Sequence, residues 1–336
     1  GGITDNVPRL DYTDSSCPSL KLEPQRTNLI TSSEALSIGT SGSTTEQNTA
    51  DTTSPEGYYN ATKILGSTSY LAKGVGSAFS GNNTTSVFLK YGNDSEVGVY
   101  MYDGAYYRVI FDLTDGTISS TFGGATGTIT DYGNGWYRCT IYKSTAANVV
   151  EVGVDGLAGI VYTYGWQHEY NASYATSYIP TYGTSVTRNE DTATSNLQIT
   201  NTNNFSIYIE FDSINKTDEG DGASSITFPS TTGGYWGRLY PYYTNEAVRW
   251  LLRGDGVSIN IYHYYNPAST KIKTLITYDG SDYKVYANGS LKYTWSETAY
   301  TMSTGQSFNI TRIAIEGMLT FNQALSNEEA IALTTT

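Results

Sequence analysis

Charge, cysteine, histidine and long apolar runs are all scarce in this 336-residue chain, and each shortage argues against a class of function. Charged residues make up only 15% of the sequence and sum to a net −13. A chain of that sign repels nucleic acid and anionic membrane at neutral pH, so neither is an expected partner. No block of like charges marks a solvated tail. The two histidines, His168 and His263, and two cysteines, Cys17 and Cys139, are too few and too scattered for a zinc site. Neither histidine lies near a G-x-S-x-G turn, and His168 reads as a hydrogen-bonded structural residue. Cys139 sits in the alternation Tyr137, Cys139, Ile141, which fits a small buried thiol; pairing with Cys17 in an oxidising compartment stays open. There is no 18-residue apolar stretch, so no membrane insertion is expected. Gly1 follows neither an initiator Met nor a signal peptide, which points to a processed chain or a piece of something longer.

Tyrosine and glycine fill the space that charge leaves, with 31 and 34 residues. Aromatic and β-branched residues favour strands, and Gly, Asn, Asp and Ser favour the turns between them. Helical spacing is almost absent until the last dozen residues. The expected fold class is therefore all-β, with two tandem β-sandwich (jelly-roll) domains, an irregular N-terminal strap and a short C-terminal helix. Residues 1–30 carry Pro8, Pro18 and Pro24 and read as an extended strap over a neighbouring domain or subunit. Residues 31–180 read as the first sandwich. In it Val97, Val99 and Met101 share a face, as do Tyr107, Val109, Phe111 and Leu113, with Arg108 and Asp112 opposite. Residues 181–195 are polar and read as a linker. Residues 196–336 form the second sandwich. There Phe205, Ile207, Ile209 and Phe211 point inward, Val248, Trp250 and Leu252 share a face, and Asn288-Gly289 turns a hairpin. Ile310–Ile315 reads as the last strand, and Ser326 with Glu329 as a helix-opening capping box.

Several segments resemble known families. Tyr286, Asn288 and Gly289 match the Tyr-x-Asn-Gly hairpin of laminin-G-like (concanavalin-like) jelly rolls, and Leu325, Ser326 and Glu329 match their Leu-Ser-x-x-Glu ending. Gly133–Arg138 (GNGWYR) is similar to a strand of carbohydrate-binding-module-like sandwiches found in phage structural proteins. Tyr170–Thr194 resembles the bridge between such a sandwich and a following jelly roll. The opening VPRLDYTDSSCPSLKLEPQRTNLI resembles the segment that precedes these domains in bacteriophage tail-fibre and other virion proteins. The resemblance implies a virion-surface or extracellular protein, with other virion proteins as neighbours.

Three chemistries are open to the site. For hydrolysis, Glu210 and Asp212 share one strand face, but Asn215 stands where a third carboxylate would complete the pattern, so solvated positions explain them. For calcium, Asp218, Glu219 and Asp221 crowd one loop, and Asp279 and Asp282 flank another; the resemblance favours a structural ion, the lack of EF-hand spacing a solvated loop. No cofactor is required. For glycan recognition, Tyr235, Trp236, Tyr240, Tyr242 and Tyr243 gather in one segment, and Tyr262, Tyr264 and Tyr265 in another. Adjacent tyrosines cannot both face inward on a strand, so some of these rings form an interaction surface for sugar or for a sister subunit. The leading expectation is a non-catalytic phage fibre or adhesin that binds host-surface glycans, as a homo-oligomer. The alternatives are a capsid or tail decoration protein whose aromatics make subunit contacts and, more distantly, a glycan depolymerase.

Overall fold

The computed structural model describes residues 9–11, 19–35, 44–66, 71–75, 81–146, 148–196, 199–212, 225–230, 235–243, 247–254, 257–264, 271–296, 307–311 and 315–335. The chain divides into two compact units. One comprises Gly1–Asp5 and Gln25–Asn189, the other Asn6–Pro24 and Glu190–Thr336. Both are built from antiparallel strands, as expected of an all-β chain.

In the first unit a five-stranded sheet runs in the order Thr117–Phe122, Tyr106–Asp112, Glu96–Tyr102, Glu151–Asp155, Leu71–Gly74. A six-stranded sheet follows the order Thr126–Asp131, Trp136–Ala146, Gly81–Tyr91, Ile160–Tyr170, Thr62–Leu65, Thr44–Gln47. Strand parity sends Val97, Val99, Met101, Val109, Phe111, Val152 and Val154 from one sheet against Val87, Leu89, Cys139, Ile141 and Val161 from the other. Burying such side chains stabilises by about 1.5–3 kcal/mol each, which makes this layer the energetic centre of the unit. Cys139 is a free thiol inside it, and burial pushes its pKa well up; Cys17 lies outside the described residues.

The second unit packs a seven-stranded sheet against a six-stranded one. Phe205, Ile207, Ile209 and Phe211 enter its core with Trp250, Phe228 and Leu252. Trp250 is fully buried, stacks on Phe228 at 6.0 Å, and donates its indole N–H to Thr274 Oγ1 at 2.9 Å. Without that acceptor the buried N–H would cost about 1–3 kcal/mol. Asn288 and Gly289 adopt φ of 47° and 68°, so the hairpin between Tyr283–Ala287 and Ser290–Trp295 closes on a left-handed pair that glycine accepts without strain. The Asn327–Thr334 helix lies over Tyr208, Leu275 and Tyr286, on the sheet face away from the core. Ser326 Oγ accepts from the Glu329 amide at 3.3 Å, and Glu329 accepts from the Ser326 amide at 2.8 Å. Ser326→Ala is expected to destabilise the second unit by about 1 kcal/mol, read as faster hydrogen exchange of the helix amides in the intact chain.

Three segments differ from the sequence expectation. Arg9–Asp11 and Ser19–Lys21 are paired strands that extend the seven-stranded sheet through Ile315–Phe321, and Arg26–Asn28 pairs with Val186–Arg188 in the first unit. Prolines 8, 18 and 24 flank these short strands rather than interrupt them, so the N-terminal segment contributes ladder hydrogen bonds. The 181–195 stretch also pairs: Val186–Arg188 belongs to the first unit, and Thr192–Asn196 opens the six-stranded sheet of the second. Its polar side chains lie on edge strands, where pairing needs little apolar surface. Residues 310–315 do not form one strand: Ser307–Thr311 joins the six-stranded sheet and Ile315–Phe321 the seven-stranded sheet. Ile310 and Ile315 both reach the core, so the apolar spacing continues while the pairing partner changes.

Candidate functional site

The expected aromatic cluster falls on the six-stranded sheet of the second unit. Tyr235, Trp236, Tyr240, Tyr242 and Tyr243 lie on the Tyr235–Tyr243 strand, and Tyr264 ends Val257–Tyr264. The side chains of Tyr235, Trp236, Tyr242, Tyr243 and Tyr264 lie outside the described residues, as does all of Tyr265. Tyr240 is described and buried, with the Arg249 guanidinium 5.0 Å from its ring centre. Arg249 also lies 5.9 Å from the ring of Tyr262 and donates to Asn260 Oδ1. Tyr262, one of the expected rings, is exposed. Arg249 therefore separates a covered ring from an open one on the face turned away from the core.

A second aromatic face, on the first unit, is fully described. Tight pairing between Glu96–Tyr102 and Tyr106–Asp112 sets Tyr100 opposite Arg108 and Tyr102 opposite Tyr106. Residues directly opposite share a face, so this outer side of the five-stranded sheet collects Tyr100, Tyr102, Tyr106 and Arg108. Phe122 is the register partner of Arg108 on the other side, and its ring centre is 5.7 Å from the guanidinium. Tyr106 packs at 4.7 Å on Tyr102 and 5.5 Å on Tyr100. Tyr106 and Phe122 remain 53% and 50% exposed, so two rings stand open at the edge of the cluster.

Polar groups are interleaved with these rings. Arg108 Nε lies 2.7 Å from Asp155 Oδ1, across Gly98. A Cβ at Gly98 would meet Asp155 Oδ1 at 1.9 Å and Arg108 Nε at 2.4 Å, so only glycine leaves room for the pair. Burial raises the Asp155 pKa, and the Arg108 charge opposes that rise. Both partners keep partial solvent access, which limits the pair to about 1 kcal/mol or less of stability. The Tyr100 hydroxyl donates to Glu151 Oε1 at 2.8 Å, and burial followed by this bond raises its pKa. The face thus offers flat apolar rings beside a fixed cation and fixed carboxylates.

No protein-family model matches the chain, and no curated protein sequence does. Solved structures similar to parts of it are of low identity. The CBM40 of the Ruminococcus gnavus IT-sialidase is 19% identical over 40% of this chain and 84% of its own, with a TM-score of 0.32. Domain 4 of AbnA, a GH43 extracellular arabinanase from Geobacillus stearothermophilus, solved with arabinotriose, is 12% identical over 43% and 82%, with a TM-score of 0.33. A heptameric SAP-like pentraxin from Limulus polyphemus is 10% identical over 40% and 70%, with a TM-score of 0.32.

Among the described candidate acids, Glu210 and Asp279 each serve a local hydrogen bond. Glu210 Oε2 accepts from the Tyr208 hydroxyl at 2.9 Å, and its register partners are Lys273 and Gly317; the Asp212 side chain lies outside the described residues. Asp218, Glu219 and Asp221 lie outside them too. Asp279 Oδ1 accepts from the amides of Ser281 and Asp282 at 3.0 and 2.8 Å, and these bonds hold its pKa down. That carboxylate oxygen serves the turn before Tyr283. Among the described residues no three His, Cys, Asp or Glu side chains gather into a metal cluster, and no helix is long and apolar enough to cross a membrane.

The apolar parity of those two strands, Val97, Val99 and Met101 against Tyr107, Val109 and Phe111, draws the eye from the Tyr102–Tyr106 face. The opposite parity carried the signal: Tyr100 and Tyr102 precede a short turn, and Tyr106 and Arg108 follow it.

Proposed function

We propose that this chain is a non-catalytic binding protein of a virion or cell surface that recognises host glycans through aromatic sheet faces. The observation that carries the reading is the pair of half-exposed rings, Tyr106 and Phe122, set beside the fixed Arg108–Asp155 pair on the five-stranded sheet. A sugar presents a C–H face to a flat ring and hydroxyls to neighbouring charges, and this surface supplies both kinds of group within one patch. The Arg249–Tyr262–Asn260 group is the proposed face of the second unit, with the expected Tyr235, Trp236, Tyr242, Tyr243, Tyr264 and Tyr265 as its further candidates. The virion assignment rests on the resemblance of the opening segment, GNGWYR and the bridge to phage structural proteins. Single contacts of this type are weak and gain from repetition in an oligomer.

A glycan array probed with the intact chain tests this. Tyr106→Ala and Phe122→Ala are each expected to weaken the bound signal about tenfold, as for truncated aromatic anchors elsewhere. No reducing ends should be released from the bound polysaccharide. Full binding by both variants would move recognition off this sheet. A second reading, a decoration protein joined through subunit contacts, is favoured by the edge strand Ser290–Trp295. Among the described residues it ends the seven-stranded sheet with Leu291 and Tyr293 exposed.

A further inference from the structure

The first unit gathers a separate set of tyrosines around one carboxylate. Glu34 Oε1 accepts from the hydroxyls of Tyr182 at 2.7 Å and Tyr164 at 3.2 Å, and Oε2 accepts from Asn60 Nδ2 at 3.4 Å. The Glu56 charge acts on Tyr164, Tyr178 and Tyr182 as well. The Tyr182 ring is nonetheless 76% exposed, and Tyr58 and Tyr59, beside Glu56 in sequence, are 68% and 63% exposed.

The Tyr182 ring is held in place, and the main chain at Tyr58 is fixed by a turn. Tyr182 sits on a β-bridge to Ser32, with the next amide, Gly183, donating to Thr31 O. Its hydroxyl is tied to Glu34, and this bond helps push its pKa up to about 12, so it remains a donor at any physiological pH. Tyr58 closes a tight turn, accepting from the Ser54 amide at 2.8 Å, while Gly57 donates to Ser54 O at 2.9 Å. An exposed tyrosine that serves only solubility is free to rotate. One anchored at its hydroxyl has lost most of that freedom before any ligand arrives, which is the condition for cheap stacking.

We infer that the exposed Tyr182 ring tied to Glu34, with the exposed Tyr58 and Tyr59 on and beside the turn that carries Glu56, forms a further carbohydrate site, which takes a neutral glycan. The inference shares with the proposed function only the choice of sugar as ligand, since it uses no residue of the five-stranded sheet. Both charges at its centre are negative, which disfavours uronate, sialate or phosphate groups and suits uncharged hydroxyls that donate to carboxylate oxygens. The Glu34 oxygens already accept from O–H and N–H donors, an arrangement that competes with a bound cation.

Affinity electrophoresis of the intact chain in gels containing hydroxyethylcellulose, arabinoxylan or galactomannan, with polygalacturonate and hyaluronate as acidic probes, tests the inference. At least one neutral polymer should retard the protein. Tyr182→Ala and the double variant Tyr58→Ala/Tyr59→Ala should each weaken that retardation about tenfold. Tyr182→Phe, which keeps the ring and frees it from Glu34, should weaken it by a smaller factor. Tyr106→Ala should leave it unchanged. Retardation lost with Tyr106→Ala but kept with Tyr182→Ala would overturn this site while sustaining the one on the sheet. No retardation in any neutral polymer, or Tyr182-dependent retardation in an acidic one, would also overturn it.

Discussion

Below about pH 6.5 the first unit is expected to lose stability by up to about 1.4 kcal/mol per pH unit through His168, and His168→Gln to remove that dependence. His168 is fully buried, and both ring nitrogens are engaged. Asn83 Nδ2 donates to Gly81 O, which fixes the amide so that Asn83 Oδ1 faces Nε2 of the histidine at 3.1 Å. An amide oxygen only accepts, so Nε2 carries the proton and Nδ1 accepts from Thr85 Oγ1 at 2.8 Å. This neutral tautomer leaves no ready place for a second proton, and burial lowers the pKa from 6.5 to about 3. Between those values the unfolded chain binds a proton that the folded chain does not. Stability from this group is therefore complete above pH 6.5 and is lost as pH falls toward 3. Glu169, the next residue, works in the other sense: burial raises its pKa, so its contribution is lost as pH rises through the folded value. Because the two oppose each other, the informative quantity is the difference between wild type and His168→Gln in urea unfolding at pH 4, 5, 6 and 7. The wild-type advantage should be largest at pH 7 and shrink steadily on acidification. A difference that stays constant across the series would sink the assignment.

The core of each sandwich was readable because apolar parity and burial are the same thing on a strand. Val97, Val99, Met101, Phe205 and Ile207 could be placed inward from spacing alone, and the Asn288-Gly289 turn and the Ser326–Glu329 box from local chemistry. Pairing was less readable. Nothing in Arg9–Asp11 or Arg26–Asn28 says which sheet edge will accept them, since such short strands gain their order from the partner and not from their own sequence. Aromatic residues were ambiguous for a related reason. Tyr240 and Tyr262 look alike in sequence, yet Arg249 covers the first and leaves the second open, and the register between neighbouring strands decides which. The Glu34 cluster draws on positions up to 148 residues apart in sequence, which no periodicity reports.

Arg138→Met is expected to destabilise the first unit by about 3–5 kcal/mol, with part of that loss recovered in Arg138→Met/Glu169→Gln. Arg138 closes the GNGWYR segment, and its guanidinium turns to the sheet face opposite Cys139 and Ile141. There Nη2 donates to Thr176 O at 2.6 Å and to Ser86 Oγ at 3.0 Å, and the group lies 5.5 Å from the centre of the Phe88 ring. Glu169 grips the same residue from its other polar atoms, accepting from the Thr176 amide at 3.0 Å and from its hydroxyl. Gln167 adds a donor to Thr176 O at 3.2 Å and accepts from the Ile179 amide at 2.7 Å. These buried polar bonds hold the segment from Ala172 to Tyr182 on the sheet together with the buried Ala172 and Ile179 and the Tyr178 ring packed on Phe88 and Tyr164. Removing the guanidinium strips Thr176 O and Ser86 of a donor and leaves the Glu169 carboxylate buried without the positive charge that offsets its desolvation. Neutralising Glu169 in the same molecule relieves that last cost, so the double variant should fall short of the sum of the single losses by more than about 0.5 kcal/mol. Strict additivity would mean that the two charges act independently. The Thr176 and Ile179 amides should exchange faster in Arg138→Met, and Tyr182, at the end of the released segment, should lose its hold on neutral glycan although no residue of that site has been altered.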